Sequence, residues 1–491
     1  MITIDSASKE PAYQQIYAQL KAEIVSGDLR EGARVPSLRS LASSLNVSRN
    51  TVDQAYQQLC AEGYLSSRQG RGYFVERLQG FGFDGQAQPS IAQSALRATL
   101  AAREDPVAYD FDYNSVYSSS LPWPRWKRCL QAATVMHETG DVLSYEDKKG
   151  NLYLRNVLCE FLMRYRGIHC EPDQIVVCSS SQHAMAIAAS LFDPETQGII
   201  MEDPGSLSMR KLFVDRGFSV ESIPVGSDGV QADKLANIPG DVLYLSPSHN
   251  FPTGYTTSVE NRRAIIAWSC GEAGSASWVD GLADQAERAH GRYVIENDRD
   301  FEFRSTSAPI PSIKSLDVGD RVLHIGTLSR LLSPSMRCAY LVLPRRLLAR
   351  FENVYRFFFS MLPTYHQMAI AMMIEKGALD KHFSQLRKEN NKRHLLLQRC
   401  IVRYLKDRVI VASNPQGLYV MVHVKCCDDP HKLQQFLLKR SIRVRPVVDY
   451  CHDGEGEYRN AFLLGYSVMP EEKIPEACKA LAAALDAYEK L

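Results

Sequence analysis

Six short apolar runs, separated by segments of helical period, restrict the fold of this 491-residue chain more than any other feature. They are QIVVC (174–178), GIIME (198–202), DVLYLS (241–246), RYVIE (292–296), RVLHIG (321–326) and AYLVL (339–343). Strands that alternate with helices imply an α/β domain with a mainly parallel sheet, and ligand loops in such a sheet gather at the carboxyl ends of the strands. From about Tyr365 the pattern changes to a long helix, KHFSQLRKENNKRHLLLQRCIVRYL, followed by strands around 418–424 and 462–467. This predicts a smaller C-terminal α+β lobe.

The first 77 residues read differently. Tyr13, Ile16, Tyr17, Leu20 and Ile24 fall at helical spacing, with Gly27 placed to end the helix. Ser37 is placed to cap a second helix running to Leu45, and after the turn Asn46-Val47, Ser48 caps a third that stops before Gly63. Two short helices joined by a tight turn make a helix-turn-helix. Strand, glycine-containing turn and strand follow at 64–68, 69–72 and 73–75, a hairpin that reads as a wing. The domain is thus expected to be mostly α with a β-hairpin wing. A helix that reads the DNA major groove needs small polar or basic side chains near its N-terminus, and Ser48, Arg49, Asn50 and Thr51 supply them. Arg39, Arg68 and Arg71 are placed to flank them with phosphate contacts. Over 34–75 five arginines face only Asp53 and Glu62, so the near-neutral total charge of +1 conceals a local basic excess. A helical module that binds another protein is the competing reading.

A chain of this length needs more than one core, and 45% hydrophobic with 23% charged residues describes ordered globular domains. The divisions expected are a winged helix-turn-helix domain over 1–77, a linker over 78–107 that is rich in Gly, Gln and Ala, and a large domain over 108–491. MITIDSASKEPAYQQ has no secretory pattern and no apolar run is long enough to span a bilayer, which points to the cytoplasm and to no membrane partner. Twelve cysteines without a CxxC pair read as reduced thiols, and no metal site is expected. The adjacent Cys426 and Cys427 are open to either a redox role or plain strand packing.

The segment from Pro11 to Val75 resembles the GntR-type winged-helix domain nearly end to end, through PSLR (36–39), SRNTV (48–52), AEGYL (61–65) and the wing glycines Gly70 and Gly72. The resemblance implies double-stranded promoter DNA as partner, with Arg39 on phosphate and Arg49, Thr51 and the wing on base or phosphate. Residues 109–491 resemble the fold-type I aminotransferases, and the fusion is that of the MocR subfamily of regulators. The markers are YEDKKGNLYLR (145–155), SSSQHAM (179–185), EDPG (202–205), LSPSHNFPTG (245–254), IENDRDFEF (295–303) and GTLSRLLSPSMRCAYLVLP (326–344). The resemblance also implies a homodimer, head to tail, which would place two winged helices on a repeated or palindromic site.

Pyridoxal phosphate is the cofactor of that fold family, and its chemistry needs a lysine for the Schiff base, a carboxylate for the pyridine nitrogen and donors for the phosphate. By resemblance the lysine position is Arg330, whose guanidinium stays protonated and forms no aldimine. The pyridine-binding aspartate is Asn297, the tyrosine that meets the ring hydroxyl is Arg299, and the ring-stacking tyrosine is Ser206. The arginine that holds the substrate carboxylate is Leu463. The phosphate end is retained in Ser179, Ser180, Ser181 and Gln182 and in Arg337. The expectation is a large domain without catalysis or covalent cofactor, its pocket of Ser180, Ser181, Gln182, Ser206, His249, Asn297, Arg299, Arg330 and Arg337 taking an unknown small-molecule effector that is acidic or phosphorylated. Alternatives are arginines that merely pair with Glu296, Asp298 or Asp300, a cofactor held without a covalent bond, and an active pyridoxal phosphate-dependent aminotransferase, against which the joint loss of lysine, aspartate and tyrosine counts. His249 is expected to position rather than catalyse. The long connection over 269–292 is either a partner surface or a neutral insertion.

Overall fold

The computed structural model describes residues 2–4, 10–25, 28–68, 72–76, 107–113, 122–138, 145–271, 291–303, 310–329, 332, 334–412, 417–452, 456–467 and 469–490. The chain divides into two units, Met1–Asp105 and Pro106–Leu491. Positions 78–106 of the expected linker and 272–290 of the long connection lie outside the described residues, as do Gly70, Arg71 and Arg330.

In the first unit α1 (Ala12–Val25), α2 (Leu38–Leu45) and α3 (Arg49–Ala61) pack around Ile16, Leu20, Leu41, Val52, Ala55, Tyr56 and Leu59. Ser37 caps α2 by accepting the Ser40 N–H at 3.1 Å, and Asn46 ends it in the left-handed conformation with φ 53°. Ser48 caps α3 by accepting the Thr51 N–H at 3.1 Å. Strands β1 (Leu65–Arg68) and β2 (Gly72–Val75) pair antiparallel, and Arg34 adds a bridge to Phe74. Gly72 has φ 98°, a backbone conformation that favours glycine. The wing is tied to α3 by Tyr73, whose ring meets Tyr56 edge-on at 5.0 Å.

In the second unit all six apolar runs form strands, each wholly or almost wholly buried. The eight-stranded sheet contains β4 (Ile175–Cys178), β5 (Ile199–Asp203), β6 (Val220–Gly226), β7 (Gly229–Val230), β8 (Val242–Leu245), β9 (Tyr293–Asn297), β10 (Val322–Thr327) and β11 (Ala339–Val342), in the order β4-β11-β10-β9-β8-β5-β6-β7. Pairings from β10 through β9, β8 and β5 to β6 are parallel, whereas β11 runs against both its neighbours and β7 against β6. The strand β3 (Tyr109–Asp110) belongs elsewhere, pairing with β14 (Ile442–Arg443). The helices that cover or flank the sheet are α4 (Trp123–Glu138), α5 (Leu152–Arg166), α6 (Ser181–Ser190), α7 (Leu207–Val214), α8 (Val259–Cys270), α9 (Arg345–Val354) and α10 (Thr364–Glu375).

The smaller lobe pairs β12 (Val409–Val411), β13 (Tyr419–Val424), β16 (Ala461–Gly465) and β15 (Arg445–Pro446) in an antiparallel sheet. It packs on α11 (Ala378–Cys400), α12 (Pro430–Leu438) and α13 (Ile474–Tyr488) through Leu397, Val422, Leu433, Leu464, Ala477 and Leu481. Cys426 and Cys427 follow β13 half-buried, and burial pushes both thiols up, Cys427 to about 12. That favours packing over a reactive thiolate. All twelve cysteines are free. Among the described residues no helix is long and apolar enough to cross a membrane, and no cluster of metal-ligating side chains occurs.

Candidate functional site

At the start of α3, Arg49 and Asn50 are exposed, as are Arg39 on α2 and Arg68 on the wing. Ser48 and Thr51 share a hydrogen bond of 2.8 Å between their hydroxyls, so the cap that starts the helix also fixes both side chains next to Arg49. Arg68 lies with its guanidinium 4.7 Å from the centroid of the Phe74 ring, which holds the cation on the outer face of the hairpin. This is a short polar and basic helix start beside a basic wing, the geometry needed to enter a major groove and grip phosphates.

A second site opens at the carboxyl ends of β4, β5, β9 and β10, a cavity of about 460 Å³. Among the expected residues it gathers Ser180, Ser181, Gln182, Ser206, Asn297, Arg299 and Arg337. His249 is not on its wall: its ring is 3% exposed, with Nδ1 3.3 Å from Asp300 and a tilted contact to Tyr419. The imidazole is turned inward because the loop that carries it is packed beneath the smaller lobe, so it supports Asp300 rather than a ligand. Sequence reasoning missed Tyr113, Phe251, Thr327, Ser329 and Tyr450, and with them Leu207, Ser208 and Met209 at the start of α7, which complete the wall. Tyr113 and Tyr450 lie far apart in sequence yet bring their hydroxyls within 3.4 Å, and both rings meet Phe251.

One end of the cavity suits an anion. Ser180 caps α6 by accepting the His183 N–H at 3.1 Å, which leaves the first-turn amides of a helix N-terminus facing the cavity. Ser329 is held by the backbone of Cys338 at 3.2 Å, and Arg337 sits nearby in the left-handed conformation with φ 48°. A β-carbon rarely adopts that conformation unless the surroundings demand it.

The other end is cationic and aromatic. Arg299 places its guanidinium 5.4 Å from the Phe251 ring centroid. Burial works against its charge, but Asp300 and the hydroxyls of Tyr244, Tyr113 and Tyr419 hold its pKa above the usual guanidinium value. Of the three carboxylates considered as its partners, only Asp300 acts on it. Glu296 accepts the N–H groups of Ile313 and Lys314 and pairs with His324 at 2.9 Å. Asp298 pairs with Arg166 at 2.6 Å and accepts the Ser248 hydroxyl at 2.5 Å. Between the two ends, Asn297 donates its amide to Tyr244 Oη at 2.8 Å. Leu463 is wholly buried on β16, and the arginine opposite it on β15, Arg445, is engaged by Asp112 through two bonds of 3.2 and 3.1 Å.

The residues therefore fit pyridoxal phosphate at one end only. Serines, helix amides and Arg337 match its phosphate. An amide at Asn297 cannot hold the pyridine nitrogen protonated as a carboxylate would, and Arg299 brings a second cation to the ring.

Comparison with known proteins agrees with both halves of the chain. Residues 12–75 match the family of bacterial regulatory proteins, gntR family, and residues 112–267 match aminotransferase class I and II. Over 96% of both chains the protein is 29% identical to the uncharacterized HTH-type transcriptional regulator YdeL of Bacillus subtilis. It is 26% identical to the probable rhizopine catabolism regulatory protein MocR of Rhizobium meliloti, over 100% of this chain and 97% of that one. Among solved structures, an archaeal alanine:glyoxylate aminotransferase aligns with a TM-score of 0.66 at 19% identity, covering 81% of this chain and 94% of that one, which establishes the fold alone. The chain thus carries a GntR-type helix-turn-helix domain followed by an aminotransferase-like domain, and the full-length relatives it resembles are MocR-type transcriptional regulators.

Proposed function

We propose that this regulator binds promoter DNA as a homodimer, through Arg39, Ser48, Arg49, Asn50, Thr51 and the wing residues Arg68, Gly70, Arg71 and Gly72, and that its second domain senses a small anionic ligand without covalent pyridoxal phosphate or catalysis. The observation that carries the second half is the pairing of Asn297 with Tyr244 beside Arg299, in a cavity that keeps its anion-binding end. A ligand with an acidic or phosphorylated group would rest that group on Arg337 and the amides of α6, and lay its body against Phe251, Tyr113 and Tyr450. By resemblance Arg330 stands where the Schiff-base lysine is needed, so no amine is offered there to an aldehyde. Homodimerisation is supported by a run of exposed apolar side chains, Phe357, Phe358, Phe359 and Met361, with Tyr145 stacked on Phe359 at 4.5 Å.

An absorbance spectrum tests the reading. Incubation of the full chain with pyridoxal phosphate gives no visible aldimine band and nothing that borohydride removes; appearance of such a band overturns it. The retained phosphate end favours a second reading, in which the cofactor binds without a covalent bond. Saturable calorimetric binding of pyridoxal phosphate, without the band and lost in Arg337→Gln, would select it.

A further inference from the structure

Away from that cavity, a cleft of about 310 Å³ lies between α4 and the turn that joins α10 to α11. Arg125 and Arg128 line it from one face of α4, Lys376 and Lys381 line it from the opposite side, and Cys129 and Gly377 lie between them. Four cations thus line one small space, and among the described residues no carboxylate is on its wall. The carboxylates next to these lysines in sequence are engaged elsewhere. Glu375 accepts the Tyr153 hydroxyl at 2.6 Å, while Asp380 accepts the Tyr165 hydroxyl and lies 3.4 Å from Arg164. All three of those partners belong to α5, although Asp380 Oδ2 also lies 3.6 Å from where a Cβ on Gly377 would sit. Arg128 spends only its Nε, on the Pro124 carbonyl at 3.3 Å.

The backbone adds to the same field. Gly377 takes the left-handed conformation with φ 61°, which turns the chain sharply into α11, and this 23-residue helix starts with no side-chain cap. Its first-turn amides and dipole add positive potential near the four cations, partly offset by Asp380 in the same turn. Like charges held together repel, and a concave site built this way is completed by an anion.

We propose that this cleft is a second anion site, separate from the aminotransferase-like cavity, which takes a compact phosphorylated small molecule of more than one negative charge. Its volume is that of a small-ligand pocket. Its cations come from α4 on one side and from the turn into α11 on the other, around a recess, an arrangement that encloses a small polyanion better than it follows a DNA strand.

Inorganic pyrophosphate serves as probe, by titration calorimetry on the full chain. Arg299→Gln/Arg337→Gln silences the other cavity, and binding is expected to persist in that variant. Adding Lys376→Gln/Lys381→Gln, two exposed positions, is expected to weaken the remaining binding by about tenfold or more, since each charge-assisted bond to phosphate is among the stronger polar contacts. The proposal is overturned if pyrophosphate binding disappears with the Arg299 and Arg337 changes alone, or if removing both lysines leaves it unaltered. It is also overturned if the lysine changes weaken operator binding and flatten its salt dependence while pyrophosphate does not bind, which would make the cleft a DNA-backbone contact.

Discussion

Glu202→Gln isolates a buried carboxyl that titrates near neutrality and feels the charge of Arg299 on the wall of the candidate ligand site. Glu202 near the end of β5 is 3% exposed, and accepts the Ser246 N–H at 2.8 Å. Burial pushes it from 4.5 to about 7, against the Asn250 amide, the Ser246 N–H and the Arg299 charge, which hold it down. Because the folded value is the higher one, the folded chain keeps this proton over a pH range in which the unfolded chain has lost it. The associated stability is full below the ordinary value and is lost as pH rises through the folded one. A gap of that size at about 1.4 kcal/mol per pH unit amounts to roughly 3 kcal/mol. Glutamine keeps a carbonyl for Ser246 and has no proton to lose. Scanning calorimetry of wild type and variant from about pH 5 to about pH 9 would follow the transition of the larger unit. An unfolding entropy of about 2 cal/mol/K per residue over roughly 390 residues converts 3 kcal/mol to about 4 °C. The variant should therefore gain about 4 °C on the wild type between the two ends of that range. A constant offset, or a wild type that gains on the variant as pH rises, refutes the reasoning. One functional consequence follows: an anion that engages Arg299 removes the charge holding Glu202 down, so its binding takes up a proton and tightens towards acid pH.

Three further outcomes are expected. Asp298→Ala leaves the buried Arg166 without its partner and should cost about 3–5 kcal/mol; a double variant, Arg166→Met/Asp298→Leu, should recover much of this in denaturation, and equal instability of both would show that uncompensated charge is not the cause. Arg49→Ala should weaken operator binding by about 1–3 kcal/mol in a mobility-shift titration, whereas unchanged affinity excludes α3 as the reading helix. Phe358→Ser/Phe359→Ser should shift the chain towards monomer in light scattering; an intact dimer at the same concentration removes this face from the interface.

The strands were legible because their signal is local and strong. A run such as QIVVC is buried on both faces and cannot be anything exposed, and β4 is fully buried as that requires. The direction of β11 was not legible, since AYLVL has the same composition whether it runs with β10 or against it; loop geometry and long-range pairing settle the matter. VESIPVG at β6 was passed over because polar residues interrupt its apolar ones. The helix-turn-helix was readable down to its caps, since Ser37, Asn46 and Ser48 act through bonds within a few residues. In the cavity, Ser180, Ser181 and Gln182 at the start of α6, Ser206 before α7 and Asn297 at the end of β9 were found from the sequence, whereas Thr327 at the end of β10 was not. Tyr113, Phe251 and Tyr450 were missed because no local pattern links three chain segments whose rings meet only after folding. His249 was placed on the wall wrongly for a related reason: the segment names the loop, not the side to which a ring turns.

The segment 296–300 shows why the cavity can change while the fold persists. Glu296, Asp298 and Asp300 are all buried, and each is held by groups behind the sheet: His324 and Arg262 for the first, Arg166 and Ser248 for the second, His249 for the third. Asn297 and Arg299 alternate with them and face the cavity. The segment, which leaves β9 after Asn297 and turns at Asp300 with φ 60°, thus divides into structural carboxylates, whose loss would strand Arg166 or Arg262 without a counter-charge, and the cavity-lining Asn297 and Arg299. By resemblance, the departures from the aminotransferase pattern fall at 297 and 299, the cavity-facing set. Cavity chemistry can therefore move from a carboxylate and phenol to an amide and guanidinium without disturbing the network that holds the sheet. A binding site recast on an intact scaffold, rather than a decayed enzyme, is what that division of labour supports.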